Sequence, residues 1–194
     1  YQIAVITTSS SSLRGGIITR QATDSVADLS AQVVAGIRGS GLERGIEMAK
    51  EALSQNGSAG PNSGFLRSDA KLAIVWISDE DDFSYGFPRS WASFFSGLKS
   101  SPSDIIGWSI VGDPGIGCGS ADPGNRLSEV AVLLGGSWTS ICQPNWQPTF
   151  ELLTMSAATD TIFILEKQPI ATTITVYVDG NLVPDWTYNS STNS

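Results

Sequence analysis

Lys71-Leu-Ala-Ile-Val-Trp-Ile-Ser78, followed at once by Asp79-Glu-Asp-Asp82, is the stretch on which the fold turns. Leu72 to Ile77 is an unbroken apolar run, too short for a buried helix and without the polar alternation of a half-exposed strand. Runs of this kind belong to strands covered on both faces, as in parallel sheets. The run stops abruptly at four carboxylates, which is where a parallel strand would deliver a loop to the sheet's carboxyl edge.

Working toward the C-terminus, an aromatic helix is expected from about Pro88 to Lys99, with proline in its first turn. A strand at Ile105 to Val111, a helix from about Arg126 to Leu134 and a short strand at Trp138 to Cys142 follow. A last helix at Gln147 to Ala158 and a strand at Thr161 to Glu166 complete the alternation. Toward the N-terminus, Gln55 to Gly64 reads as a loop, and Leu42, Ile46, Ala49 and Leu53 mark an amphipathic helix over Leu42 to Leu53. Val26, Leu29, Val33, Val34 and Ile37 mark another, and Ile3 to Thr8 reads as a strand entering the Ser-rich loop Thr7 to Ser12. The expected fold class is therefore α/β: a mostly parallel sheet, helices on both faces and right-handed crossovers.

From Ile170 the pattern changes. Thr172, Ile174, Val176 and Val178 alternate with other residues up to Asp179-Gly-Asn181 and Leu182-Val183, a hairpin signal. We divide the chain into residues 1–168, an α/β domain, and residues 169–194, an antiparallel hairpin that starts a β-rich segment. Tyr1 is not an initiator Met and the first residues already read as strand, so the sequence is expected to begin inside a domain.

Composition narrows the function. With 11 Lys and Arg against 19 Asp and Glu, the formal charge of −8 opposes attraction to nucleic acid or anionic lipid. No apolar run approaches the roughly 20 residues that cross a bilayer. The chain has no His, which removes Ser-His and Cys-His catalysis and His-ligated zinc from its repertoire. No P-loop and no Gly-x-Ser-x-Gly elbow occurs. Gly112-Asp-Pro-Gly-Ile-Gly-Cys-Gly119 lacks dinucleotide-binding spacing, and Pro114 removes an amide donor, so a turn-rich surface loop is the better reading. The carboxylate cluster alone does not make a glycosidase, because neighbours in one loop seldom face each other across a substrate. The six Trp residues fall mostly within apolar runs or amphipathic segments and are expected in the core.

Cys118 and Cys142 fit either one disulfide or two separate buried thiols. The bridge is the reading adopted; it would close a loop of about 25 residues, stabilise by about 3 kcal/mol on chain-entropy grounds, and imply an oxidising compartment. In an open parallel sheet ligands bind beyond the carboxyl ends of the strands. The residues to inspect are thus Thr7 and Thr8, Ser78 to Asp82, and Gly112 to Gly119. Hard oxygen ligands such as Asp79 to Asp82 suit Mg²⁺, Mn²⁺ or Ca²⁺; a solvated acidic loop is the alternative.

Several phrases, in their order and spacing, resemble a von Willebrand factor A-like domain of the extracytoplasmic bacterial type. They are Ile3-Ala-Val-Ile-Thr-Thr8, Gly39-Ser-Gly-Leu-Glu-Arg-Gly-Ile46, Gly64-Phe-Leu-Arg67, Leu72 to Asp82, and the Cys118 to Cys142 stretch. The resemblance spans roughly residues 1 to 166 and implies a metal-ion-dependent adhesion site at the carboxyl edge. It places Ser40 at the family's second-loop Thr position and Asp79 at its third-loop Asp. Apart from the resemblance, the neighbouring carboxylates Glu80, Asp81 and Asp82, of which Asp81 and Asp82 are the candidates adopted, could add ligands of their own. The family's first loop, Asp-x-Ser-x-Ser, does not occur in this sequence and would lie before Tyr1.

The resemblance therefore implies a secreted or surface-exposed adhesion module and not an enzyme. A divalent cation, weakly held by Ser40 and Asp79 alone, would engage an acidic group of a protein or glycan partner. A companion chain supplying the missing strand is a further expected partner. The competing expectation is a structural module that no longer binds metal.

Overall fold

The computed structural model describes residues 1–36, 39–56, 60–157, 165, 167–178, 180–183, 186–191 and 193. Two units are distinguished, Tyr1–Ala157 and Ala158–Ser194.

The first unit is α/β. Its sheet consists of β3 (Leu72–Ser78), β4 (Ile105–Val111) and β5 (Ser137–Ser140), in that spatial order and all parallel. Leu72 lies opposite Ile105 and Ser78 opposite Val111, so β3 and β4 pair over their full lengths. The helices are α1 (Ser25–Val33), α2 (Gly45–Ser54), α3 (Pro88–Ser96), α4 (Asn125–Leu133) and α5 (Gln147–Ala157).

Pleat alternation sorts the side chains. Leu72, Ile74 and Trp76 of β3, with Ile105 and Val111 of β4, face Ile46, Ala49 and Leu53 of α2, Trp91 and Phe95 of α3, and Leu127 and Val130 of α4. Trp76 and Phe95 meet edge to face at 5.8 Å between centroids. On the opposite face, Trp108 Nε1 donates to Thr139 Oγ1, which shares a 2.9 Å hydrogen bond with Thr149 of α5. This is why β4 is buried on both sides and reads as an uninterrupted apolar strand. Gly107 sits where α4 crosses β4: a Cβ there would lie 2.9 Å from the Ala131 Cα, so glycine permits the close approach.

The N-terminal strand departs from expectation. Only Gln2–Ile3 (β1) is strand, and it pairs antiparallel with Ile18–Thr19 (β2), outside the parallel sheet. Hydroxyls divert the rest: Thr7 Oγ1 accepts from Ser9 N, Ser10 Oγ accepts from Ser12 N, and Thr7 and Ser10 close a tight turn. The second helix starts at Gly45 and not at Leu42, because Ser40 Oγ takes the Leu42 N–H in a turn of its own. The first helix starts at Ser25 behind an Asp24 cap and ends at Val33. The remaining elements lie within two or three residues of the expected bounds.

In the second unit, β6 (Val176–Val178) and β7 (Asn181–Val183) pair antiparallel, with Gly180 at φ +81° in the connection. The expected hairpin is present, although Ala171–Thr173 forms a 3₁₀ turn where alternation suggested strand. The expected strand at Thr161 to Glu166 lies, but for Leu165, outside the described residues.

Candidate functional site

The loop that follows β3 organises the carboxyl edge. Neither α2 nor α4 has a side-chain cap of its own. Two adjacent carboxylates of the β3 loop supply both. Asp82 is 4% exposed; its Oδ2 accepts from Ile46 N at 3.0 Å in the first turn of α2, and its Oδ1 accepts from Ser84 N at 2.9 Å. Ser84 Oγ accepts from Glu47 N, one residue further along α2. Asp81 Oδ1 accepts from Arg126 N at 2.9 Å in the first turn of α4. A negative charge at a helix N-terminus satisfies an orphan N–H and complements the helix dipole, so the sequence positions Asp81 and Asp82 to bind two helices into one corner.

Arg126 completes the corner by donating from Nη2 to the carbonyls of Ser84 and Gly86. Glu43 holds the opposite side: its Oε2 accepts from Ser78 Oγ at 2.6 Å and its carbonyl accepts from Phe83 N at 2.7 Å. A small cavity of about 20 Å³ lies among Thr8, Glu43, Gly45, Ser78, Asp81 and Asp82, room for about one water molecule.

Held this tightly in its main chain, the loop still turns large apolar side chains to solvent. Phe83 is 51% exposed, Tyr85 76% and Phe87 78%, at alternate positions, and Ile116 in the loop after β4 is 82% exposed. Arg44 lies over the Tyr85 ring at 5.2 Å. The loop after β4 is fastened to the β3 loop by Asp122 N donating to the Asp79 carbonyl, and to the end of β5 by the Cys118–Cys142 disulfide, Cα–Cα 6.1 Å. A disulfide forms and persists in oxidising, extracytoplasmic surroundings.

The four residues assigned to metal from the sequence occupy different situations. Asp79 is exposed at the edge. Ser40 is exposed, donates its N–H to Ser9 Oγ and accepts from Leu42 N. Asp81 has one oxygen engaged by helix α4, and Asp82 has both oxygens engaged by backbone N–H groups. No hydrogen bond joins Ser40 to Asp79 among the described residues, and among them no three His, Cys, Asp or Glu side chains gather as a metal-holding group. Asp79 and Ser40 thus retain most of their oxygen capacity toward a cation, whereas Asp81 has one oxygen and Asp82 both oxygens already accepting a backbone N–H, each with a further lone pair left. Reading the sequence missed Glu43, Ser84 and Arg126. The only signal was that neither Arg44 nor Gly124 can cap the helix it precedes by its side chain, which leaves each cap to come from a distant segment.

No protein-family model, curated protein or solved structure matches the chain. No helix among the described residues is long and apolar enough to cross a membrane.

Proposed function

We propose that the chain is an extracytoplasmic binding module of the von Willebrand factor A-like type that meets its partner at the carboxyl edge of the sheet. One observation carries this reading: a loop pinned through Asp81, Asp82, Ser84 and Arg126 displays Phe83, Tyr85 and Phe87 to solvent. Exposed aromatics on a flexible loop would collapse against the body. Held out on a fixed main chain, they offer large contact area at little entropic cost, the property of interface anchors. Such fixed, exposed anchors suit the edge to binding a partner.

A divalent cation at Ser40 and Asp79 is the second part of the proposal. When bound, it would supply a coordination position for an acidic group of a protein or glycan partner. Ser40 would offer its hydroxyl oxygen and Asp79 its carboxylate, with the aromatic strip setting the approach. Two protein ligands make for weak affinity. The engagement of Asp81 and Asp82 as helix caps favours the alternative, a module that supports its neighbours without metal.

The test is titration of Mn²⁺ into the isotopically labelled chain, followed by paramagnetic broadening of backbone resonances. Broadening centred on Ser40 and Asp79 that Asp79→Asn abolishes supports the cation. Uniform or absent broadening removes it, and leaves the aromatic strip as the binding element.

A further inference from the structure

The two loops that meet at the carboxyl edge carry one sign of charge. Residues 79–87 include Asp79, Glu80, Asp81 and Asp82, residues 112–124 include Asp113 and Asp122, and neither stretch contains a Lys or Arg. Asp122 N donates to the Asp79 carbonyl at 2.8 Å, so the loops touch through their backbones and the exposed Asp79 and Asp122 belong to one acidic rim.

The exposed rings of Phe83, Tyr85 and Phe87 stand in the first of these loops, at alternate positions, with Ser84 between the first two buried and tied to the Glu47 N–H. An aromatic face beside carboxylates attracts cations twice over, through the ring quadrupole and through charge. A guanidinium suits such a place better than an ammonium, because it is planar, stacks on rings and is more weakly hydrated. The chain holds its own example: the Arg44 guanidinium lies 5.2 Å from the Tyr85 ring centroid while its Nη1 lies 3.7 Å from Glu47 Oε2.

Three basic residues flank the loops. Arg44 is engaged as just described, and Arg126 turns Nη2 to the carbonyls of Ser84 and Gly86. Arg89, in the first turn of α3, is exposed and opposes the field of the rim.

On the strength of the aromatic strip proposed above, and independently of a cation at Ser40 and Asp79, we infer that the partner is a protein segment carrying arginine at alternate positions. In an extended segment alternate side chains share one face, the same residue spacing at which Phe83, Tyr85 and Phe87 are displayed. The guanidinium groups stack on these rings, and the carboxylates of Asp79, Asp113 and Asp122 neutralise them. Charge complementarity selects the basic segment and speeds its encounter; the rings anchor it.

Fluorescence anisotropy of the whole chain with a fluorescein-labelled peptide of alternating arginine and glycine tests this, in EDTA throughout so that no divalent cation contributes. Peptides with lysine, glutamine or glutamate in place of arginine are the comparisons. The arginine peptide should bind, the lysine peptide several-fold more weakly, and the other two not measurably. The double variant Phe83→Ser/Phe87→Ser should weaken the arginine peptide roughly tenfold or more. Asp113→Asn/Asp122→Asn should weaken it several-fold and reduce its salt dependence, whereas Arg89→Gln should tighten it. No binding of the arginine peptide, or equal binding of the glutamine or glutamate peptide, overturns the basic partner; if that equal binding is lost in Phe83→Ser/Phe87→Ser, the aromatic strip stands without it. An arginine peptide that binds this double variant as it binds the wild type responds to charge alone, and overturns the strip as well.

Discussion

Replacing Asp82 by alanine tests the corner on which the site is built. Asp82 is 4% exposed and accepts from two backbone N–H groups, Ile46 and Ser84. A hydrogen bond to a charged acceptor contributes about 1.5–3 kcal/mol, and a carboxylate at a helix N-terminus about 0.3–1 kcal/mol more. Alanine leaves both donors buried without partners, so the expected loss is about 3–5 kcal/mol, a large fraction of a domain stability of about 5–15 kcal/mol. For a unit of this size that corresponds to a fall of roughly 10 °C in Tm. Asn keeps the shape and one acceptor oxygen but turns an NH₂ toward the other donor, and should cost about 2 kcal/mol. Urea unfolding followed by far-ultraviolet circular dichroism, with and without EDTA, measures both. A loss below about 1 kcal/mol for the alanine variant refutes the capping argument. So does a loss that vanishes once EDTA has removed divalent cations, because it would place Asp82 on a metal.

Gly107→Ala should destabilise by about 1–3 kcal/mol, since its Cβ would meet the Ala131 Cα at 2.9 Å; calorimetric unfolding checks it. Reducing the Cys118–Cys142 bridge, or replacing both cysteines by serine, should lower stability by about 3 kcal/mol in urea titrations. Phe83→Ser and Phe87→Ser should each leave stability within about 0.5 kcal/mol of the wild type, because both side chains already stand in solvent; a larger loss would show that they pack. Burial holds the Lys99 ammonium below its ordinary value of 10.5, with Arg67 adding to the effect and Asp104 and Asp69 opposing it. Its folded form therefore disfavours the charge, so stability should rise slightly as pH climbs from the depressed value toward 10.5, and Lys99→Met should flatten that rise in urea midpoints taken at successive pH values.

β4 was legible because burial on both faces leaves a simple signature, and Ile105 to Val111 is bounded as the residues suggest; β3 has the same apolar run but is fully covered on one face alone, Ala73 and Val75 being half-buried and Ile77 48% exposed on the other. The N-terminal segment was not. Ile3 to Thr8 has strand composition, but the hydroxyls from Thr7 to Ser12 bond the local backbone, and composition does not weigh that competition. At the site, the carboxylates stood out as a cluster, whereas their division of labour depends on residues 36 and 45 positions away. Adjacent acidic residues look alike in sequence; only the helices they face distinguish Asp82 from Asp79. The aromatic strip hid for a related reason, since Phe83, Tyr85 and Phe87 alternate as a buried strand would, and their exposure follows from where Ser84 and Arg126 tie the main chain.

The remote capping of α2 bears on how the chain acquires its structure. During synthesis α2 leaves the ribosome well before Asp82, its cap 36 residues downstream, and an isolated ten-residue helix is marginal in water. The helix must therefore wait, populated only in part, until β3 and its loop have been made. Folding of this half of the unit should begin around the β3–β4 pair and α4, with α2 consolidating late. Substitutions in α2 should then accelerate unfolding more than they slow refolding.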